Sequence, residues 1–596
     1  MIQVEKFSYG FPSKDLYNEI SFTLETGCHC ALIGSNGTGK STLADILIHP
    51  EKYLYDGKIV RDEDCRTGYA SQFSARDKER DCTVFGYLSE RFLKIQHEIT
   101  AVCEELASAE DPETLYEKYQ QLLDLNGSMD GDNYESNIRR QLNTAGMGEL
   151  AEVSLSQISG GEYKLLQIMR EMLLSPNLLV LDEPDVFLDF GNLGSLCQLI
   201  NSYDGTLLVI THNRYLLDHC FNKILHLENG DIQEFNGTYT EYKCAVSREK
   251  AELKRQSIEE QEEIERTQEM VDILRKRATE KVNPVIGRAV NAKQTQLDRL
   301  IARQIKAPFI EIREPEITLP QVETEDDKTV LSVTGYNVGF DDDLLGNVDF
   351  QLKAGEKAAV VGANGTGKTT LIRDILKNDD PAIHIDEDTR YACMSQLQGE
   401  MLDEDKTVYQ IMQDAGFDTR TEIREYLSGY CLEEKVLDQK AGELSGGEQN
   451  LLQIAVIAAS DAQLLILDEP TSHLDLYAQA ALEKAVSEYS GTVLMVSHDF
   501  YLVANCADYI LLAEDNTLRR VRARKFRKMV YDRYFDPEYL EIDRRKQELE
   551  ADITAAFMKD DLDRVEKLCD QLEELDRKQN RQLLTDCFIR KQQTKN

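Results

Sequence analysis

Apolar and polar positions follow three different rhythms along this chain. In the first, short apolar runs stop at glycine or an acidic residue: CALI at 30–33, LLVL at 178–181, AAVV at 358–361 and LLIL at 464–467. Runs of this length with such boundaries predict buried strands. In the second, apolar residues return at helical spacing, as at Leu93, Ile99, Val102, Leu106, Leu115, Tyr119 and Leu122. That spacing predicts a helical hairpin within 92–143. In the third, apolar residues thin out. The stretch 247–277 is rich in Glu, Lys, Arg and Gln and holds neither Gly nor Pro, which predicts a long charged helix. KVNPVIG at 281–287 then supplies a turn, and a second helix is expected over 288–306, ending before Pro308. The two would form an antiparallel hairpin, followed by a flexible stretch at 318–328. From Pro537 onward, Leu562, Val565, Leu568, Leu572 and Leu575 mark an apolar stripe, as in a short helical hairpin or coiled coil.

The first rhythm occurs twice because the chain repeats itself. The strand at 30–33 leads into Gly34, Ser35, Asn36, Gly37, Thr38, Gly39, Lys40, Ser41 and Thr42. The strand at 358–361 leads into Gly362, Ala363, Asn364, Gly365, Thr366, Gly367, Lys368, Thr369 and Thr370. Each fits a glycine-rich loop that opens a helix and cradles phosphate oxygens with backbone N–H groups. In that chemistry Lys40 and Lys368 reach the β- and γ-phosphates, while Ser41 and Thr369 hold Mg²⁺. Downstream the spacing repeats: Ser159 to Glu183 and Ser445 to Glu469 both span 24 positions, and each glutamate lies 29 positions before a histidine, His212 or His498. The early halves differ. Gln72 to Ser159 is 87 positions and Gln396 to Ser445 is 49, so the first copy holds 38 more, which the helical insertion at 92–143 accounts for.

Composition narrows the setting. With 68 basic and 108 acidic residues the formal charge is −40, which disfavours indiscriminate binding to nucleic acid or anionic membranes. The 13 cysteines form no C-x-x-C pair, so a zinc ribbon or iron–sulfur cluster is not expected. No apolar run approaches the ~18–20 residues that span a bilayer. The opening MIQVEKFSYG has neither the basic nor the apolar region of a signal peptide, and a cytoplasmic protein is expected.

The second copy reads LSGGEQN at 444–450, LLILDEPTSHLD at 464–475 and VSHDF at 496–500. The first reads ISGGEYK at 158–164, LLVLDEPDVFLD at 178–189 and ITHNR at 210–214. Over both copies this set resembles the ATP-binding cassette family. Two cassettes joined by a charged helical linker, entered by FNGTYTEY at 235–242, resemble its F subfamily. The resemblance implies an α/β fold with two P-loop ATPase domains in tandem, at 1–242 and 326–517. It further implies a helical hairpin linker at 243–325 and a basic, then helical, C-terminal extension at 518–596. ATP would be hydrolysed at two composite sites within one monomer. Lys40, Asp182 and Glu183 would face Ser445, Gly446 and Gly447, while Lys368, Asp468 and Glu469 would face Ser159, Gly160 and Gly161. Asp182 and Asp468 would join Ser41 and Thr369 around Mg²⁺, and Glu183 and Glu469 would act as general bases on the attacking water. His212 and His498 would contact the γ-phosphate, with Gln72 and Gln396 approaching Mg²⁺ and water. Tyr9 and Phe340 would stack on adenine, a plain core aromatic being nearly as good a reading of Phe340. The first copy departs from the pattern: Asp185-Val186-Phe187 stand where the second has Thr471-Ser472-His473, and Asn213 where it has Asp499. Unequal sites are expected, the Glu183 site being slower or altered in gating; purely structural drift is the equal alternative.

The partner is read from charge. Over 275–306 nine basic residues, among them Arg275, Arg277, Lys281, Arg288, Lys293, Arg299 and Arg303, meet only two acidic ones. A charge run is usually a solvated face. A sign reversal at the end of a projecting hairpin is also where a rod would meet a phosphate backbone. The run LRRVRARKFRK at 518–528 offers a second anchor. The F-subfamily resemblance implies binding of rRNA and tRNA at the ribosomal tRNA exit site, as a translation factor or an antibiotic-resistance protection protein. A DNA-associated ATPase is the stronger rival, and the ATPase of a transporter the weaker.

Overall fold

The computed structural model describes residues 2–11, 14–62, 65–71, 81–107, 113–186, 188–280, 284–303, 314–323, 327–339, 343–395, 402–523, 525–526 and 537–593. In each repeat the apolar runs become neighbouring strands of a six-stranded sheet. The order in the first is Thr67–Ala70, Leu178–Asp182, Thr206–Ile210, His29–Ile33, Lys223–Glu228 and Asp231–Asn236. The second repeats that order with Tyr391–Met394, Leu464–Asp468, Thr492–Val496, Lys357–Gly362, Tyr509–Glu514 and Thr517–Arg522. All pairings are parallel except the last in each sheet. Leu178–Asp182, Thr206–Ile210, Leu464–Asp468 and Thr492–Val496 are buried at every position, as strands covered on both faces must be. A three-stranded antiparallel sheet accompanies each, and the phosphate-loop helix packs between them: Leu43 and Leu47 share one core with Val4, Phe7, Leu178 and Leu208. This strand order brings Asp182, Glu183 and His212 to the carboxyl ends of adjacent strands beside the phosphate loop, where ligands of open α/β sheets bind.

Outside the sheets the sequence reading needs adjustment. Around the insertion the first repeat carries Val84–Leu106, Glu113–Ser128 and Tyr134–Thr144, one helix more than the expected hairpin. The last break comes at Asp130, whose backbone is left-handed (φ +52°) and whose carboxylate accepts from Asn133 and Asn137. The linker helix Tyr239–Glu280 extends beyond 247–277 at both ends and is roughly 60 Å long at 1.5 Å per residue. Its partner starts at Pro284, because proline at the first helical position lacks an N–H that would go unused anyway. Part of the basic run folds into the sheet edge. Arg519 pairs with Glu514 (3.3 Å), and Arg520 lies over the Tyr509 ring (3.5 Å to its centroid) and beside Glu356, both side chains staying more than half exposed.

By internal packing the chain divides into Met1–Asn236 with Glu314–Tyr534, and Gly237–Arg313 with Phe535–Asn596. The second unit joins segments remote in sequence. The C-terminal helices Pro537–Met558 and Leu562–Gln593 form a hairpin whose stripe, Leu562, Val565, Leu568 and Leu572, shares a core with Cys244 and Ala251 of the linker helix. Under it the ammonium of Lys546 meets Asp576 (2.6 Å) and Gln579 (3.0 Å), and the Thr238 hydroxyl donates to Asp576 (2.7 Å). The stripe shows that a partner exists, but not that the partner is a helix some 300 residues upstream. No helix among the described residues is long and apolar enough to cross a membrane.

Asp576→Ala leaves Lys546 buried without its counter-ion, and breaking such a pair costs about 3–5 kcal/mol. Amide hydrogen exchange should therefore accelerate at 238–251 and 562–575, with exchange across the Leu178–Asp182 and Leu464–Asp468 strands unchanged.

Candidate functional site

The phosphate loops are held from behind by side chains and by their own carbonyls. Lys40 Nζ donates to the carbonyls of Gly34 (2.9 Å) and Ser35 (2.8 Å), and Lys368 Nζ to those of Gly362 (2.9 Å) and Ala363 (2.7 Å). Thr38 and Thr366 close the loops onto Ser35 and Ala363 at 2.9 and 3.0 Å. Gly39 adopts φ +97°, and a Cβ there would sit 2.7 Å from the Tyr17 hydroxyl, which donates to the Gly39 carbonyl at 2.5 Å. Only glycine fits both demands. Glu228 accepts from the backbone N–H (3.0 Å) and hydroxyl (2.9 Å) of Ser35. Tyr9 stands among the rings of Phe11, Tyr17 and Tyr53, 5.6 to 6.4 Å away.

Ser159 and Ser445 each cap a helix, Gly160–Leu173 or Gly446–Ala458, and each forms a reciprocal capping box with Glu162 or Glu448. Serine and glutamate of S-G-G-E thus fix the helix start, and the second glycine of each is buried, Gly161 beside Asn192 and Leu188 of its own repeat. The start of the second helix lies against the other repeat. A Cβ on Gly447 would come within 2.5 Å of Asn36 Nδ2, which donates to the His473 carbonyl at 2.7 Å. Asp475 accepts from the Asn36 backbone (3.3 Å) and Asp189 from that of Asn364 (3.3 Å). A cavity of about 1020 Å³ is lined by Ser159, Gly160 and Gly161 of one repeat with Lys368, Thr369 and Glu469 of the other, and reaches Glu183 and His212.

The carboxylates are set by strained turns. Glu183 (φ +46°) and Glu469 (φ +49°) adopt left-handed backbone and donate their N–H to Ile210 and Val496 on the next strand. Burial pushes the Glu183 carboxyl up to about 7, with Asp185 and Asp182 adding to it, and Glu469 up to about 8. A carboxyl near neutrality suits a proton acceptor from water. Burial and the neighbouring lysines keep both histidines neutral, His498 down to about 3 and His212 well below its ordinary range. The His498 backbone donates to Glu469 (3.2 Å), while neither ring nitrogen of His212 has a hydrogen-bond partner among the described residues. Ser41 donates to Asp182 at 3.1 Å, and Tyr69 to its other oxygen at 3.4 Å. Gln72, Gln396, Phe340 and Phe187 lie outside the described residues.

A family model described as ABC transporter matches residues 17–186 and 345–472, and an extension model of the same description matches 225–319. The chain belongs to the ATP-binding cassette family. It is similar to ABC transporter F family member 2 of Arabidopsis thaliana, 28% identical over 537 residues, covering 87% of this chain and 77% of that one. It is also similar to the energy-dependent translational throttle protein EttA of Escherichia coli K12, 27% identical over 522 residues, covering 85% and 90%. Among solved structures it shares its fold with the RNase-L Inhibitor (TM-score 0.54, 18% identity, 89% and 92% covered). Two cassettes with the extension between them make it an F-subfamily member, and as a cassette ATPase it binds and hydrolyses ATP.

The residues fit Mg²⁺ as well. Each cassette offers one hydroxyl and one carboxylate, Ser41 with Asp182 and Thr369 with Asp468, and no cluster of three metal-ligating side chains occurs among the described residues. Such a sparse set suits an ion that keeps waters and takes phosphate oxygens. Mg²⁺ there would neutralise charge developing on the phosphates. Sequence reasoning overlooked Tyr17, Tyr69 and Glu228 as loop supports. It also passed over Asp189 and Asp475 as contacts, although they share the 286-residue offset of the histidines.

The cassettes differ at one wall of the cavity. Asp185, recessed there, accepts from the Thr211 hydroxyl at 2.7 Å, and burial pushes its carboxyl up to about 6. A carboxyl raised on folding favours the protonated native state, so its ionisation costs stability as pH rises from about 4 through 6. Asp185→Thr, the residue of the other cassette, should therefore raise the melting temperature at pH 8 and change it little at pH 4. Thermal scans at the two pH values check this.

Proposed function

We propose that this chain is a cytoplasmic, ATP-driven factor that docks on the ribosome at the tRNA exit site. There the linker hairpin meets rRNA or tRNA, and the protein acts as a translation factor or a ribosome-protection protein against antibiotics. The observation that carries the reading is the charge reversal at 275–306, nine basic residues against two acidic in a protein of net −40. Local positive charge on a globally negative protein permits contact with a phosphate backbone while suppressing indiscriminate binding. Support comes from the F-subfamily relatives, one of them described as a translational throttle.

The linker suits a probe. Tyr239–Glu280 and Pro284–Arg303 pair along a seam in which Val271 and Leu297 are buried, and Arg275 donates to Gln294 across it (2.9 Å). Lys293 donates to Gln296 on its own helix, 2.9 Å away, and Arg299 stands exposed. Arg277, Arg288 and Arg303 belong to the same two helices, their side chains lying outside the described residues, as does Lys281. Gln294 and Gln296 are engaged by Arg275 and Lys293, and recognition rests on shape and backbone charge.

The catalytic assignments belong to the same proposal: Glu183 and Glu469 as general bases, His212 and His498 as γ-phosphate contacts, Asp182 and Asp468 at Mg²⁺. ATP closes the cassettes and hydrolysis releases them. Replacing both Glu183 and Glu469 by Gln should permit ATP binding and lower turnover by a hundredfold or more. Sedimented with ribosomes, that variant should be retained in an ATP-dependent, salt-sensitive manner, and neutralising Arg288, Arg299 and Arg303 should release it. Absence of retention at low salt would overturn the ribosomal reading, and retention on duplex DNA instead would favour a DNA-associated ATPase.

A further inference from the structure

Three alternate residues that follow Asp468-Glu469-Pro470 in the second cassette are aimed at the first phosphate loop. The His473 carbonyl accepts from Asn36 Nδ2 (2.7 Å), and the Asp475 carboxylate from the Asn36 backbone (3.3 Å). Tyr477 continues the series by an indirect route. Its hydroxyl lies 3.4 Å from Nε2 of His226, a buried residue of the strand Lys223–Glu228. The same Nε2 stands 3.7 Å from Glu228 Oε2, and that oxygen accepts from both the backbone N–H (3.0 Å) and the hydroxyl (2.9 Å) of Ser35. The Ser35 carbonyl in turn accepts from Lys40 Nζ (2.8 Å). A chain of polar groups thus runs from the second cassette to the lysine of the first.

The chemistry of its members gives the chain a direction. A neutral imidazole carries one N–H, and a carboxylate beside Nε2 calls for it there, since a bare Nε2 would set its lone pair against Glu228. The Tyr477 oxygen meets that N–H from the other cassette and fixes the tilt of the ring. Glu228 depends on its donors. Burial drives its carboxyl up, but the imidazole and Ser35 outweigh burial and hold it below its ordinary value. An ionised Glu228 holds both donors of Ser35, and with them the curl of the loop that Lys40 closes.

The other cassette cannot build this chain. The counterparts of Tyr477, His226 and Ser35 are Gly191, Leu512 and Ala363, none of which has a polar side chain. Glu514 stands in the place of Glu228 and pairs with Arg519 (3.3 Å), more than half exposed. None of Tyr477, His226, Glu228 and Ser35 lines the cavity around Lys368.

We propose that Tyr477 is a positioning residue of the Lys40 site, acting through His226 and Glu228 to hold the first phosphate loop in its ATP-binding shape. Affinity at that site is then set in part by a side chain of the opposite cassette, a contribution the Lys368 site lacks. Ribosome binding plays no part in this.

In the full-length chain, amide protection followed against ATP concentration at 34–39 and at 362–367 gives a separate midpoint for each loop. Tyr477→Phe, which removes one oxygen and keeps the ring, should raise the first midpoint about fivefold and the second by less than about twofold. His226→Leu, the residue of the other cassette, should raise the first about tenfold or more. His226→Gln, which keeps a donor at similar reach, should stay near the native midpoint. Because the hydroxyl acts through the imidazole, Tyr477→Phe should add nothing to His226→Leu. An unchanged first midpoint in Tyr477→Phe would overturn the proposal, as would equal rises at both loops or a full additional effect in the double variant.

Discussion

An aspartate that caps a helix in one cassette reaches the phosphate-loop backbone of the other with its second oxygen. Asp475 accepts from Ala478 at its own helix start (2.9 Å) and from Asn36 across the interface (3.3 Å). Asp189 does the same toward Asn192 (2.9 Å) and Asn364 (3.3 Å). Through this doubled use of one carboxylate, each phosphate loop is tied to a helix start of the opposite cassette. The signature helix starts, held by their capping boxes, stand beside the phosphate loops of the opposite cassettes.

The two sites share this frame and differ in detail. Glu183 and Glu469 stand on the same left-handed turn, yet Glu183 has Asp185 beside it where Glu469 has Thr471. The interface is ionic around Arg214 and aromatic around Phe190. A tandem chain can hold such differences because its copies mutate independently, which identical subunits cannot do.

Much of this was legible in the sequence, for identifiable reasons. Fully buried parallel strands need unbroken apolar runs, and LLVL and LLIL are such runs; a phosphate cradle needs glycines and a lysine in fixed order. The doubled spacing ties those elements to Glu183, Glu469 and the histidines without any alignment. What stayed hidden depends on contacts between distant segments. Nothing local to Tyr17, Tyr69 or Glu228 says that they buttress a phosphate loop or its aspartate. The stripe from Leu562 to Leu572 announces a partner but not that the partner is the helix carrying Cys244. Part of the basic run at 518–528 read as a second anchor, because pattern alone does not distinguish cations on a sheet edge from cations awaiting a ligand.

The central claim is that each ATP is held by both cassettes at once. The most direct measurement is photolabelling with an azido-ATP analogue, mapped by peptide to the two phosphate loops, in chains carrying Ser159→Arg or Ser445→Arg. The account predicts crossed losses: Ser159→Arg should abolish retained label near Lys368 and spare Lys40, and Ser445→Arg should do the reverse. Loss of label within the mutated cassette itself would contradict it.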